Sequence, residues 1–148
     1  MMTFVSIRRA TGADTDSIAR LAGELGYAVE PEKMPGHIQA ILASTTELLI
    51  VAVDASGGVV GWLQAHAAHI VESGFRVEIT GLIVSPAFRR QGVGRSLVAN
   101  AEHWARTASA EAIVVRSNAK RLESHAFYPA LGYASIKTQV VYRKPLFP

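Results

Sequence analysis

Gly81–Gly94 reads GLIVSPAFRRQGVG, and its residue types suit the binding of an anion. The β-rich run Leu82-Ile83-Val84 is stopped by Pro86, which has no N–H to give to a ladder. Arg89, Arg90 and Gln91 follow, then Gly92 and Gly94 two apart, where a helical pattern begins. Glycines let consecutive backbone N–H groups converge, and a helix N-terminus adds roughly half a positive charge. Strand, basic glycine loop and helix start together predict a cradle for a phosphate or pyrophosphate. The spacing is not the dinucleotide pattern G-x-G-x-x-G, which needs a third glycine. It is not a P-loop, which needs Gly-Lys-Ser/Thr. On the motif alone, a plain tight turn between strand and helix is the competing reading.

Such a loop needs a scaffold, and hydrophobic periodicity outlines one. Val5-Ser6-Ile7-Arg8 alternates as a first strand. Thr11 or Asp14 can cap a helix with Ile18, Leu21, Ala22 and Leu25 on its apolar side and Gly26 as its stop. Two prolines interrupt residues 27–36, and a short helix is expected over residues 37–43. This region carries no strand signal and suits one wall of a cleft. Glu47–Asp54, Val59–Ile70 and Arg76–Val84 read as three strands joined by short turns, hence an antiparallel meander. After the loop, Val93, Leu97, Val98, Ala101, Trp104, Ala105 and Ala108 lie on one helical face. Ala112–Arg116 is a further strand, and the βαβ connection from Val84 makes these two strands parallel. A last helix around residues 120–131 stops at Gly132, and Tyr133–Lys144 is expected to close the chain as strand. The predicted fold class is α+β, with a single mixed, mostly antiparallel sheet.

The 148 residues suit one domain with a real core, and a hydrophobic content of 49% excludes a disordered chain. No apolar run reaches the roughly 20 residues of a membrane span. MMTFVSIRRA has no signal-peptide core before its charges, so a cytoplasmic location is expected. The absence of cysteine excludes disulfide and thiolate chemistry. The net charge of +3 is spread over scattered basic residues, which argues against specific nucleic-acid binding. His66 and His69 are three apart on a strand and point to opposite faces, so no metal site is expected. Trp62 and Trp104 are read as core, and His125 as an exposed helix residue.

The stretch V-S-P-A-F-R-R-Q-G-V-G-R-S-L-V resembles the acetyl-CoA signature of the GNAT superfamily of N-acetyltransferases. Arg89, Gly92 and Gly94 fit its Q/R-x-x-G-x-G/A core. Asn118, followed by Ala126-Phe127-Tyr128-Pro129-Ala130-Leu131-Gly132-Tyr133, resembles the second signature, N…A-x-x-F-Y-x-x-x-G-F/Y. The two lie about 25–40 residues apart, separated by one helix and one strand, as the family's order requires. The resemblance is weakest over the first 45 residues.

The resemblance implies a three-layer α/β/α domain over residues 1–148 with a splayed parallel strand pair. It implies that acetyl-CoA is the co-substrate, without a metal, and that the acetyl group passes directly to an amine. The backbone of Leu82, Ile83 and Val84 would pair with the pantetheine arm, with Gly81 as a bulge site that opens the sheet. The stretch Arg89, Arg90, Gln91, Gly92, Val93, Gly94, Arg95 and Ser96 would hold the pyrophosphate. Asn118 would reach the pantetheine from the other side, and Ser124, one turn before Tyr128, would touch the cofactor. Tyr128 matches the family tyrosine near the thioester sulfur; a phenol of pKa about 10 is protonated at neutral pH and can donate to a leaving thiolate. Glu78, four residues before Leu82, stands where some family members place a general base, and others use a water chain. On a regular strand Glu78 would share a face with Arg76, Thr80 and Leu82.

The alternative function on the same fold is a non-catalytic acyl-CoA-binding sensor, which needs neither Tyr128 nor Glu78. The acceptor is left open among small amines, amino acids, antibiotics and protein amines. A polycationic acceptor would call for a local acidic cleft containing Glu78, Glu72 or Glu30. The terminal run Val140-Val141-Tyr142, read as an apolar strand, suggests a homodimer.

Overall fold

The computed structural model describes residues 4–147. They form two compact units, one ending at Arg116 and the other starting at Ser117.

The first unit is built on a five-stranded sheet whose strands lie side by side in chain order. Strand β1 is Val5–Arg9, β2 is Glu47–Asp54, β3 is Val59–Ile70, β4 is Gly74–Val84 and β5 is Ala112–Val115. The first four pair antiparallel, as their connections allow. β5 runs parallel to β4, because helix α3, Val93–Thr107, carries the chain back along the sheet. Helices α1, Thr15–Glu24, and α2, Met34–Leu42, precede β2. α2 starts at Met34 rather than near His37, with Pro35 in its first turn, where a missing N–H costs nothing.

Helices cover both faces of the sheet. Ile18, Leu21 and Ala22 of α1 and Ile38 of α2 pack with Leu49, Val51, Val59 and Ile83 on one face. On the other, α3 buries Val93, Leu97, Val98, Ala101 and Ala105. Its closeness to the sheet is visible at Gly61, where a Cβ would lie 3.4 Å from side-chain carbons of both Leu97 and Val93. The three-layer α/β/α arrangement and the parallel β4–β5 pair agree with the expected fold class.

The expected regularity of β4 needs correction. Gln64 pairs with Gly81, but its neighbour Ala65 pairs with Ile79, so Thr80 is an inserted residue. Residues directly opposite in an antiparallel pair share a face. Glu78 lies opposite His66 and Ile83 opposite Trp62, which puts both on the α1/α2 face. Leu82 lies opposite Leu63, on the α3 face. Glu78 therefore shares a face with Arg76, Gly81 and Ile83, and not with Leu82.

The chain entering α1 is tied by Asp14. Its carboxylate accepts from both Arg8 Nη atoms at 2.8 and 2.9 Å and from the Thr11 N–H at 2.8 Å. The Arg8 hydrogen bonds, opposed by burial and aided by Thr11, hold this carboxyl below the usual carboxylate range. Both Thr11 and Asp14 thus serve at this helix start: Thr11 caps a short 3₁₀ turn, Gly12–Asp14, and Asp14 precedes α1.

The second unit contains helix α4, Leu122–Ala130. Gly132 ends it at φ +94°, with its N–H bonded to Pro129 O at 3.0 Å and the Tyr133 N–H to Tyr128 O at 3.1 Å. This is a Schellman cap. Beyond it, residues 134–147 form no strand, which corrects the expectation for Tyr133–Lys144. Val140, Val141 and Tyr142 are exposed. Their β propensity is insufficient, because a strand exists only where its N–H and C=O groups meet a partner edge. The strand edge invoked for a homodimer is accordingly not formed.

Candidate functional site

The glycine loop is a left-handed turn feeding a bare helix end. Gly92 is the residue before α3 and has φ +82°, and Arg90 has φ +62°. The first intrahelical bond runs from Ser96 N–H to Gly92 O at 3.0 Å. The N–H groups of Val93, Gly94 and Arg95 therefore point out of the helix without an intrahelical acceptor. Among the described residues no side chain caps them, and the first turn holds no acid. Arg89, Arg90, Gln91 and Arg95 are exposed around this end, whereas Val93 is buried in the core. Gln91 also closes the loop, donating from Nε2 to Ala87 O at 3.2 Å. A bare helix N-terminus beside exposed arginines has the chemistry that suits a multiply charged anion.

β4 leads straight into that loop and is half open. Its pairing with β5 runs from Arg76↔Ala112 to Ile79↔Val115 and stops there. Leu82, Ile83 and Val84 stay paired with β3 on their other edge. Their β5-facing edge has no strand beside it among the described residues, so its backbone groups can pair with an extended amide chain. The bulge coincides with this parting, as Thr80–Gly81 is where β4 leaves β5. The side chain of Ile83 is committed to the core, so only its backbone is available to a ligand.

Glu78 sits in a cluster of charges. Its side chain is 12% exposed, and Oε1 accepts from Arg116 Nε at 3.2 Å. Arg76 Nη2 lies 3.7 Å from the same oxygen, and His66 Nε2 lies 4.0 Å from Oε2. On β2, Glu47 lies opposite His66. Neither Arg116 nor Glu47 belongs to a motif that the sequence displays. Only the β4–β5 register, which sets Val114 beside Glu78, brings Arg116 two residues later onto the same face. His69 stacks on Phe75 with ring centroids 4.6 Å apart, which accounts for it structurally.

The second unit presents the remaining candidates. Asn118 makes a tight turn ahead of α4, its Oδ1 accepting from the Lys120 N–H at 3.0 Å and its carbonyl from the Arg121 N–H at 2.9 Å. Ser124 and Tyr128 lie one turn apart on α4. The Tyr128 ring meets Phe127 edge-on at 4.9 Å and Tyr133 at 5.8 Å, which fixes its direction.

Residues 15–133 match the profile of the Acetyltransferase (GNAT) family. The chain is 33% identical over 135 residues to an aminoalkylphosphonate N-acetyltransferase of Salmonella typhimurium, covering 90% of this chain and 87% of that protein. It is 28% identical over 147 residues to an aminoglycoside N(6')-acetyltransferase type 1 of Stenotrophomonas maltophilia, covering 97% and 95%. Among solved structures, an aminoglycoside N-acetyltransferase in complex with CoA superposes with a TM-score of 0.86 at 20% identity, covering 97% of each chain.

Proposed function

The chain belongs to the GNAT acetyltransferase family, and from that premise we propose that it transfers acetyl from acetyl-CoA to a primary amine by direct attack in a ternary complex. The observation that carries this reading is the bare N-terminus of α3 behind Gly92, continuous with the unpaired edge of β4. One element pair offers both an anion cradle and an extended-chain edge, which are the two recognition problems that a pyrophosphate and a pantetheine arm pose. The family match crosses from the first unit into the second, which supports taking residues 1–148 as one catalytic domain.

Arg89, Arg90, Gln91 and the N–H groups of Gly92, Val93, Gly94 and Arg95 hold the pyrophosphate, with Ser96 behind them. The backbone of Leu82, Ile83 and Val84 binds the pantetheine and polarises the thioester carbonyl; Asn118 and Ser124 add contacts to the cofactor. An alkylammonium has no lone pair, so Glu78 takes a proton from the acceptor, directly or through water. The free amine adds to the carbonyl, the C–S bond breaks, and Tyr128 gives its phenolic proton to the departing thiolate.

Thiol release from acetyl-CoA, measured against a panel of amines, tests this. Turnover with at least one amine is expected. Tyr128→Phe should lower kcat by about 100-fold, the lower end of what a positioned acid supplies, with the KM for acetyl-CoA unchanged. Wild-type rates in the Phe variant would remove Tyr128 from the proton path. A wild type that neither binds CoA nor releases thiol would overturn the assignment altogether.

A further inference from the structure

Resting on that reading, we propose that the acceptor is a small zwitterion, an amine a few bonds from a carboxylate or phosphonate. Arg76 and Arg116 hold its anionic group while its ammonium faces Glu78.

The charges around Glu78 argue for it. Two guanidiniums converge on one oxygen, Oε1, at 3.2 and 3.7 Å. Arg116 spends only Nε on that bond; its side chain is 57% exposed, and neither Nη donates to another described residue. Arg76 is more enclosed, at 18% exposure, yet its guanidinium makes no hydrogen bond among the described residues. A guanidinium carries five N–H donors in a fixed fork that matches carboxylate and phosphonate oxygens in pairs. Two adjacent forks with most donors unspent fit an anion arriving from solvent.

The opposite sign lies alongside. Oε2 of Glu78 lies 4.0 Å from His66 Nε2. Glu47, across from His66, adds a second carboxylate, with Oε2 shielded from solvent and without a hydrogen-bond partner among the described residues. β2, β3, β4 and the residue that follows β5 thus contribute Glu47, His66, Arg76 with Glu78, and Arg116 to one face. A polycation would be repelled by the arginine pair, and a simple monoamine would leave the forks empty. Of the acids that could build a cleft for a polycation, Glu78 is flanked by arginines and Glu30 is paired with Lys33 at 2.7 Å.

The test compares β-alanine and aminomethylphosphonate with ethanolamine and spermidine, reading thiol release from acetyl-CoA. The zwitterions should have the highest kcat/KM. Arg76→Gln and Arg116→Gln should each raise the zwitterion KM by about 10- to 100-fold, the range for a lost charge-assisted bond. The KM for acetyl-CoA should be unchanged, and Arg116→Lys should recover part of the loss. Calorimetric titration of the CoA-loaded protein with the same zwitterions reads binding without turnover, and should weaken equally in the variants. Preference for spermidine, glutamine variants within twofold of wild type, or no zwitterion binding would each overturn the proposal. A wild type that binds CoA and acetylates spermidine overturns the zwitterion alone, whereas one that binds no CoA overturns the family reading beneath it.

Discussion

The ring of Trp62 occupies the space in front of Gly81: a Cβ there would lie 2.8 Å from Cζ3 and 3.1 Å from Cη2. Trp62 packs against the core of Leu49, Val51 and Ile83 and cannot swing aside without opening it. Glycine is thus dictated at the point where β4 bulges and leaves β5.

Gly81→Ala should consequently destabilise the fold by about 1–3 kcal/mol, as overpacking does. Thermal denaturation reads this directly. Because the clash lies at the start of the open edge, the KM for acetyl-CoA should rise as well. A variant with wild-type melting temperature would show that the ring yields.

Gly92 offers a different case. Its φ is +82°, and nothing lies within 4 Å of where a Cβ would stand, so Ala meets only backbone strain. Gly92→Ala should cost about 1–2 kcal/mol. If the loop is an anion cradle, the KM for acetyl-CoA should rise several-fold too. Lost stability with an unchanged KM would reduce the loop to a plain turn.

Ser109 holds the left-handed position after α3 at φ +63°, with the Ala110 N–H bonded to Ala105 O at 3.0 Å and its own N–H to Arg106 O at 3.0 Å. Elsewhere in the chain, Gly26 and Gly132 fill the equivalent place. Ser109→Gly should therefore stabilise the protein by about 0.5–1 kcal/mol, visible as a higher denaturation midpoint with an unchanged slope.

Asp14 sets part of the acid limit. Its folded pKa is depressed, first by Arg8, so the unfolded chain takes up a proton more readily than the native one. The resulting stability is present above the ordinary carboxylate pKa of about 4 and is lost as pH falls through the lower native value. Asp14→Asn should lose about 1–3 kcal/mol at pH 7 and show a flatter acid limb in stability-versus-pH curves. An unaltered limb would mean that the Arg8 pair persists equally in the unfolded chain.

Much of this protein is written locally. Glu47–Asp54 and Val59–Ile70 are legible to the residue, because apolar runs bounded by turn residues depend on nearest neighbours. The same holds for the α1 core face at Ile18, Leu21 and Ala22 and for the loop at Gly92, where glycine, arginines and a helix start are adjacent in the chain. The tertiary structure alone decided what hangs on pairing. The inserted Thr80 reverses the alternation of β4, so Leu82 and Glu78 part company, and no neighbour in the sequence announces it. Arg116 reaches Glu78 across 38 residues only through the parallel register. Val140-Val141-Tyr142 has strand composition and no strand. Propensity acts within a few residues, whereas register and edge pairing are collective, set by which strands meet across the sheet.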